Sequence, residues 1–321
     1  MRPPQTSLAR LQSSGDPTVD RRYEWASAML AEGDAAGAAA LLAETALLAP
    51  RWPTVWARLG DAYAADNAPM AAAEAYRMAV EADPSDVLGA GLKRARLGQA
   101  PPPAAPPPAH IGSLFDAYAP RFEELLVGTL GYRAPALLAE RVAAARPGPD
   151  PRFAAALDLG CGTGLAGAAV RPWCAHLVGV DLSPEMLAEA ARKGVYDALL
   201  AGEAVAALED PEALGTAAFD LVLAADVLCY LGDLRPLLAG IARRLAPDGL
   251  VAVTTERAAP GEAGPDGWRL RDSLRYAHDP ARVGALAAAV GLATLAADEA
   301  VLRQDRGQPI AGTVHLLART P

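Results

Sequence analysis

The stretch LDLGCGTG, residues 157 to 164, has glycine on alternate positions directly after a short apolar run. Glycine adopts positive φ angles that are costly for other residues, and its missing side chain lets a ligand approach the backbone closely. A helical stretch, AGAAVRPW, follows at once, so the segment predicts a strand, a tight turn and a helix with free first amides. Turns of this kind bind ligands at the carboxyl ends of parallel strands. The glycines therefore predict an α/β fold with its ligand site at this turn.

Apolar runs alternate with helical stretches through the following hundred residues or so. The runs are of the kind buried on both faces of a parallel sheet: LDLG (157–160), HLVGVD (176–181), DALLAG (197–202), FDLVLAAD (219–226) and GLVAVTTE (249–256). Two later runs, LATLAADEAVLRQ (292–304) and IAGTVHLLART (310–320), are joined by a link too short for a parallel crossover. We therefore predict a Rossmann-like, doubly wound α/β sheet with a terminal antiparallel hairpin, over residues 111–321.

The residues upstream follow a different pattern, rich in Ala and Leu at helical spacing. From Pro53, side chains fall at the Trp, Leu, Gly, Tyr, small, aromatic, small and Pro positions of a tetratricopeptide repeat of about 34 residues: Trp56, Leu59, Gly60, Tyr63, Ala72, Tyr76, Ala79 and Pro84. The same frame shifted back by one repeat keeps Ala38 and Pro50 but has Arg22 in place of the Trp. We predict an all-α tetratricopeptide-repeat domain over residues 20–97 and a Pro-rich linker over residues 98–110.

Composition restricts the partners. The net charge of −9 disfavours nucleic acid, because sequence-independent binding requires clustered Lys and Arg. The cysteines, Cys161, Cys174 and Cys229, have neither metal-ligand nor C-x-x-C spacing, which predicts no metal and favours a reduced, cytoplasmic compartment. No signal-peptide core is present, and no charge-free run reaches the length of about 18 apolar residues that a membrane span needs. We therefore expect a soluble protein with no membrane segment.

Two classes of ligand use a glycine turn of this kind, dinucleotides and S-adenosylmethionine. The dinucleotide fingerprint G-x-G-x-x-G is broken here, because Leu165 stands at its sixth position. Asp181 ends the second predicted strand, 21 residues after Gly160, where an acid can accept bonds from both ribose hydroxyls. Both ligand classes use such an acid, so the glycines and Asp181 leave both open.

Three ordered motifs separate the two classes. LDLGCGTG, VDLSPEML (180–187) and LAPDGLVAV (245–253) resemble motifs of class I S-adenosylmethionine-dependent methyltransferases, although Asp248 stands where Gly is common. FDAYAPRFEELLVGTLGYRAP (115–135) and RYAHDPARV (275–283) also resemble a predicted bacterial group of these enzymes that carries tetratricopeptide repeats. The resemblance implies SN2 methyl transfer from S-adenosyl-L-methionine, with S-adenosyl-L-homocysteine as the product.

The resemblance also implies which residues bind the methionine and ribose parts of this cofactor. Residues of the glycine loop would line the methionine moiety: Gly160, Cys161, Gly162 and Gly164. Asp181 would hold the ribose, and Asp158 would order the loop and help to bind the α-amino group through water. The alternative for Asp158 is a turn residue without a ligand contact.

Adenine contacts follow from the same resemblance. Glu203 would accept a hydrogen bond from the adenine amino group, the backbone of Ala204 would face a ring nitrogen, and Leu182 and Met186 would sandwich the ring. Alternatively, Glu203 is only a favourable charge at a helix N-terminus and Met186 is only core.

An N-terminal helix would close over the cofactor in similar enzymes. Tyr118 and Phe122 have the i, i+4 spacing that places both rings on one face of an amphipathic helix. We predict that Tyr118 hydrogen-bonds near the cofactor's carboxylate, with core packing as the alternative.

Candidate catalytic residues lie in two segments. Asp226 and Tyr230, in AADVLCYLGD, follow the fourth strand and are expected to face the transferred methyl group, so Asp226 is also a cofactor candidate. Val227 and Leu228 replace the prolines of the Asp-Pro-Pro-Tyr signature, which disfavours planar amino groups as acceptors.

The second segment is RYAH, between the fifth strand and the last helix. His278 is its best candidate for a general base, and Arg275 and Tyr276 would help it to bind an anionic or hydroxylated acceptor. The alternatives are that Asp226 caps a helix and that Tyr276 and His278 pack on a surface loop.

A small-molecule methyl acceptor with an O, N or C nucleophile is the leading functional hypothesis. The alternatives are a protein methyltransferase that recruits its target through the repeats, a non-catalytic adaptor that binds S-adenosylmethionine, and a nicotinamide-dependent oxidoreductase. The repeats would bind a protein partner, self-associate or only pack on the second domain.

Overall fold

The computed structural model describes residues 11–150, 152–210, 212–215 and 218–320. The chain divides into two compact units, Met1–His110 and Ile111–Pro321. Within the described ranges, none of the helices combines the length and the apolar character that a membrane span requires.

The described part of the first unit is helical. Its helices are α1 (Pro17–Ala31), α2 (Ala35–Leu48), α3 (Pro53–Ala65), α4 (Pro69–Ala82) and α5 (Ala90–Arg96). Gly60 of α3 lies against the ring of Tyr76 on α4, where an added Cβ would come within 2.4 Å of Tyr76 Cε1. The missing side chain thus lets the two helices approach closely, as a repeat of paired helices requires. The assignment of these helices to tetratricopeptide repeats stays a prediction.

The predicted linker ends earlier than expected. Helix α6 runs from Pro108 to Tyr118, so residues 108–110 are helical and the prediction of a linker through residue 110 is wrong at this end. Proline is compatible with the first turn of a helix, because the amide that it lacks has no partner there. Pro108 therefore starts a helix instead of extending the polyproline stretch.

The second unit contains one large sheet. Its strands are β1 (Phe153–Leu159), β2 (Cys174–Asp181), β3 (Ala198–Ala201), β4 (Phe219–Ala224), β5 (Leu245–Arg257), β6 (Trp268–Leu270), β7 (Tyr276–His278), β8 (Leu292–Asp305) and β9 (Gln308–Arg319). Its helices after α6 are α7 (Ala134–Ala145), α8 (Leu165–Val170), α9 (Pro184–Lys193), α10 (Ala204–Glu209), α11 (Arg235–Arg244) and α12 (Pro280–Ala289).

The strands follow the order β3, β2, β1, β4, β5, all parallel. Strand β9 then pairs antiparallel with β5, and β8 pairs antiparallel with β9. The prediction of a doubly wound sheet with a terminal antiparallel hairpin is therefore confirmed. The short strand β7 adds to the last two residues of β5, and β6 pairs with β7.

Both faces of the sheet are covered. Leu157 and Leu159 of β1 belong to the core on one face, whereas Ala156 belongs to the core on the other. Since successive side chains of a strand point to opposite faces, a strand buried on both sides must be apolar throughout. This burial explains why these strands appear in the sequence as continuous apolar runs, and it leaves their carboxyl ends to carry the polar site.

Candidate functional site

The glycine loop between β1 and α8 has the backbone conformation that its sequence predicts. The φ angles of Gly160, Gly162 and Gly164 are +65°, +53° and +90°. An added Cβ at Gly160 would lie 2.4 Å from Val227 Cγ2, whereas at Gly162 the nearest atom would be Phe122 Cε1 at 3.9 Å. Gly160 is therefore required by packing, whereas Gly162 is favoured by its positive φ, and an added Cβ there would make only an ordinary contact.

A small, open cavity adjoins this loop. Its lining includes Gly162, Thr163, Phe122, Tyr132 and Ala225. Pockets that bind small molecules combine apolar walls with a few polar groups. The cavity therefore offers a site for a ligand at the position that the glycines predict.

Asp181, at the end of β2, is bonded to the loop. Its Oδ2 accepts a hydrogen bond from the Gly162 amide at 2.8 Å, and its Oδ1 accepts one from the Ser183 amide at 2.9 Å. Burial raises the pKa of this carboxyl group, and the Ser183 and Gly162 amides oppose the shift. The same carboxylate thus fixes the loop and starts α9, whose N-cap is Ser183.

Asp158 of β1 has no exposed surface, and its partner was not predicted from the sequence. Tyr196, between α9 and β3, donates a hydrogen bond from its hydroxyl to Asp158 Oδ2 at 2.7 Å. Burial raises the pKa of Asp158 to about 7, although the bond from Tyr196 lowers it. No motif marks Tyr196, because its role depends on the packing of a loop against the strand.

The predicted adenine contacts have structural roles in this unit. Glu203 caps α10, since its Oε2 accepts a hydrogen bond from the Ala206 amide at 2.8 Å. Met186 of α9 is 1% exposed and packs as a core residue, whereas Leu182 is half-buried. Ala204 is the first residue of α10. Contacts of these four residues with adenine stay predictions.

The expected helix that carries both Tyr118 and Phe122 is not formed. Helix α6 ends at Tyr118, a 3-10 turn covers Ala119–Arg121, and a π-helix covers Glu124–Thr129. Pro120 explains the break, because proline lacks an amide for the helical bond and disfavours the helical conformation of the residue before it. Tyr118 is 48% exposed, and Phe122 lines the cavity.

Two acidic residues attach this segment to the loop and to α9. Asp116 accepts a hydrogen bond from the Ser183 hydroxyl at 2.5 Å. Glu123 accepts one from the Thr163 hydroxyl at 2.5 Å and also pairs with Lys193. The segment that precedes the sheet is therefore bonded to the glycine loop through Thr163 and to the N-cap of α9 through Ser183.

Asp226, after β4, is held by a buried arginine that the sequence did not reveal. Both of its carboxylate oxygens lie 2.6 Å from Arg303 Nη1, and Arg303 of β8 also pairs with Glu256 of β5. Asp226 has a φ of +60°, and its amide donates to Thr254 Oγ1 at 2.8 Å. The interpretation of Asp226 as a helix cap is therefore wrong, because the carboxylate is paired across the sheet.

Tyr230, the other candidate after β4, contacts the ring of Phe115 and the guanidinium of Arg275. The Phe115 ring lies edge-on to Tyr230, with 5.4 Å between centroids, and to Phe122, with 6.1 Å. Arg275 Nε donates to the Tyr230 hydroxyl oxygen at 3.2 Å, and its guanidinium lies 5.7 Å from the ring centroid. The sequence predicted that Arg275 helps to bind the acceptor, but it did not predict that Arg275 contacts the ring of Tyr230.

The RYAH segment is a buried strand, so the alternative of packing on a surface loop is wrong. Tyr276 and His278 belong to β7 and are 0% and 2% exposed. His278 Nε2 lies 3.3 Å from the Gly232 carbonyl oxygen, and burial lowers the pKa of His278 to about 4. The Tyr276 ring packs against Trp268, with 5.3 Å between centroids. His278 is therefore neutral at pH 7 and shielded from solvent.

His315 of β9 is also buried. Its Nε2 lies 3.1 Å from Thr255 Oγ1 inside the sheet. Among the residues that the structure describes, no group of three His, Cys, Asp or Glu side chains is arranged to hold a metal ion.

Residues 157–251 match the family model of a methyltransferase domain. Over this stretch the chain is similar to methyltransferases. Methyltransferase-like protein 27 of Homo sapiens is 45% identical over 86 residues, which cover 26% of this chain and 34% of that protein. A ubiquinone biosynthesis O-methyltransferase of Xanthomonas oryzae is 30% identical over 111 residues, which cover 35% of this chain and 46% of that protein.

The chain is also similar to solved structures. A TehB-like S-adenosylmethionine-dependent methyltransferase from Corynebacterium glutamicum is 22% identical and superposes with a TM-score of 0.44, over 65% of this chain and 99% of that chain. The chain spans from 34% to 50% of the length of the curated relatives named here and of a malonyl-[acyl-carrier protein] O-methyltransferase.

Proposed function

We propose that this protein transfers a methyl group from S-adenosylmethionine to a small-molecule acceptor with an O, N or C nucleophile. The observation that carries the proposal is the glycine loop, whose Gly162 amide is bonded to Asp181 beside an open cavity. The curated relative from Xanthomonas oryzae is a ubiquinone biosynthesis O-methyltransferase, which supports a small-molecule acceptor.

The residues at the loop fit this cofactor. An added Cβ at Gly162 would make only an ordinary contact with Phe122, at 3.9 Å, so internal packing does not exclude a ligand beside the bare backbone there. Asp181 has two carboxylate oxygens, which suits it to accept bonds from both ribose hydroxyls. In the proposed complex Gly160, Gly162 and Gly164 line the methionine end, and Asp181 holds the ribose.

The cofactor supplies a methyl group that its sulfonium already activates. The chain therefore mainly has to align the acceptor and exclude water. Phe115, Phe122 and Tyr230 provide a continuous aromatic wall through their edge-on contacts. We assign to this wall the shielding of the methyl group and the positioning of the acceptor.

A general base is not part of the proposal. Arg303 neutralises the Asp226 carboxylate, and His278 is 2% exposed, so neither group is free to take a proton from an acceptor. Tyr230 keeps its proton at neutral pH, because burial raises the pKa of its phenol although Arg275 opposes the shift. Asp226 and Tyr230 then shape the acceptor site, and rate enhancement comes from alignment.

Isotope transfer tests the function directly. The full chain is incubated with cofactor labelled in its methyl group and with cell extract, and the extract is then separated into protein and metabolite fractions. Label in the metabolite fraction is expected, and it should disappear in Asp181→Asn. Asp279→Asn is the matched control, because Asp279 also accepts backbone hydrogen bonds but belongs to the cap of α12.

The other outcomes of this experiment separate the alternatives. Label in the protein fraction would indicate a protein acceptor. Binding of S-adenosylhomocysteine without any transfer would indicate a non-catalytic adaptor, and failure to bind it would refute the proposal.

A protein target is the second candidate, because the first unit exposes large apolar side chains. Trp25, Leu47 and Met70 are 71%, 78% and 71% exposed. A contiguous exposed apolar patch is typical of a surface that contacts another protein. Loss of protein labelling in a Trp25→Ser, Leu47→Ser variant that still binds S-adenosylhomocysteine would support recruitment through the first unit.

A further inference from the structure

Tyr196 occupies a space that three glycines leave free. An added Cβ would lie 3.0 Å from Tyr196 Cε2 at Gly164, 2.3 Å from its hydroxyl oxygen at Gly167, and 3.0 Å from its Cδ1 at Gly179. Gly164 belongs to the glycine loop, Gly167 to α8 and Gly179 to β2. The ring is therefore enclosed by backbone from three elements, and its hydroxyl has little freedom to move.

The hydroxyl of Tyr196 is directed at Asp158. It donates to Oδ2 at 2.7 Å, and Asp158 is completely buried at the end of β1, two residues before Gly160. None of the ion pairs between described residues includes Asp158. A buried carboxylate without a cation is costly, so the hydrogen bond from Tyr196 is important for its charged form.

The titratable groups that face Asp158 do not replace a cation. Burial raises the pKa of Asp158 to about 7, Tyr196 and the Gly167 amide lower it, and the nearby Asp181 carboxylate raises it. Cys161, Cys174 and Tyr132 also face Asp158, and burial raises the pKa of each of them, so they are neutral at pH 7. A ligand that brings its own positive charge would therefore select the ionised form of Asp158.

We propose that Tyr196 is a positioning residue of the cofactor site, whose hydroxyl fixes the Asp158 carboxylate and favours its ionised form, so that Asp158 binds the cofactor's α-ammonium group through water. The inference rests on the proposed function, because the ammonium belongs to the methionine moiety of that cofactor. Tyr196 itself acts through Asp158 and through the loop glycines that its ring supports.

Calorimetric titration of S-adenosylhomocysteine into wild type and Tyr196→Phe, from pH 6 to pH 9, tests this role. The Phe variant keeps the ring and loses only the hydrogen bond. Binding should weaken as the pH falls, because protonation neutralises Asp158. The pH at which this loss is half complete should be about one unit higher in the variant, since a hydrogen bond to a charged group shifts its pKa by about that much. The dissociation constant of the variant should then exceed that of wild type about threefold at pH 7.5 and nearly equal it at pH 9.

Two controls identify the cause. Tyr76→Phe removes a matched bond, from the Tyr76 hydroxyl to Asp61 at 2.9 Å in the first unit, and should leave the pH profile unchanged. In an Asp158→Asn background the Tyr196→Phe change should no longer shift the profile, because the titrating carboxylate is gone.

Three outcomes would overturn the proposal. Equal weakening at every pH would show that Tyr196 only packs, and an unshifted profile with unchanged affinity would show that its hydroxyl has no role. Either result leaves the proposed function intact, because wild type still binds. Failure of wild type to bind S-adenosylhomocysteine at any pH would instead refute the proposed function together with this inference.

Discussion

Replacing Gly160 with alanine is a sharp test of how the glycine loop is built. The change introduces one methyl group at a residue with a φ of +65°, and that methyl group would lie 2.4 Å from Val227 Cγ2. Two separate costs follow, one from the backbone conformation and one from the contact. The two costs can be measured separately, because Gly194 also has a positive φ but no atom close to an added Cβ.

The magnitude follows from these two costs. An alanine in the left-handed region costs about 1–2 kcal/mol. Carbon atoms in contact normally lie about 3.5–4.0 Å apart, so relieving the overlap requires a shift of about 1 Å or more, and overpacking of this kind costs about 1–3 kcal/mol. We expect Gly160→Ala to reduce the free energy of unfolding by about 2–5 kcal/mol.

Urea unfolding of the full chain, followed by circular dichroism, measures the change. Gly194→Ala is the control, because Gly194 has a φ of +62° but no atom within 4 Å of an added Cβ, and it should lose only about 1–2 kcal/mol. In Gly160→Ala, Val227→Ala the nearest atom of residue 227 becomes its Cβ at 3.4 Å. The double variant should therefore be more stable than the sum of the single changes predicts, by about 1–3 kcal/mol.

Two results would refute this reasoning. If Gly160→Ala is no more destabilised than Gly194→Ala, the contact with Val227 is relieved without cost. If the effects of Gly160→Ala and Val227→Ala simply add, the two residues are not coupled, and the close approach of the loop to residue 227 is not what requires glycine.

Three further predictions concern the charged and polar groups. Asp181→Asn should weaken binding of S-adenosylhomocysteine at least tenfold in calorimetry, because the amide offers one acceptor oxygen where the carboxylate offers two; unchanged affinity would remove Asp181 from the site. Arg303→Met should lower the free energy of unfolding by about 3–5 kcal/mol, since it leaves the Asp226 carboxylate without its cation and Glu256 with only the more distant Arg271 and Arg275, and Asp226→Asn should restore part of the loss; a neutral Arg303→Met would contradict the ion pair. The pKa of His278 is lowered to about 4 by burial, so the unfolded chain binds the proton more tightly and stability should fall by about 2 kcal/mol from pH 7 to pH 5 on account of this residue. Urea titrations at both pH values measure this fall in the free energy of unfolding. An equal fall in His278→Gln would show that His278 does not cause it.

The sheet was predictable because its signals are local. Strands buried on both faces must be apolar, and the link between β8 and β9 is too short for any connection except a hairpin. The left-handed conformations at Gly160, Gly162 and Gly164 are also local, since only glycine adopts them at little cost. One local prediction nevertheless failed: the helical spacing of Tyr118 and Phe122 is interrupted at Pro120, after α6 ends.

The sequence by itself therefore determined the α/β unit, the glycine turn and the acid at the end of β2, because backbone conformation and strand burial restrict each residue where it stands. Only the tertiary structure decided which groups pair at the site. Arg303 pairs with Asp226 from 77 residues away, and Tyr196 reaches Asp158 from 38 residues away. Such pairs form when the sheet brings distant strands together and burial makes an unpaired charge costly, and no pattern in the neighbouring residues records them.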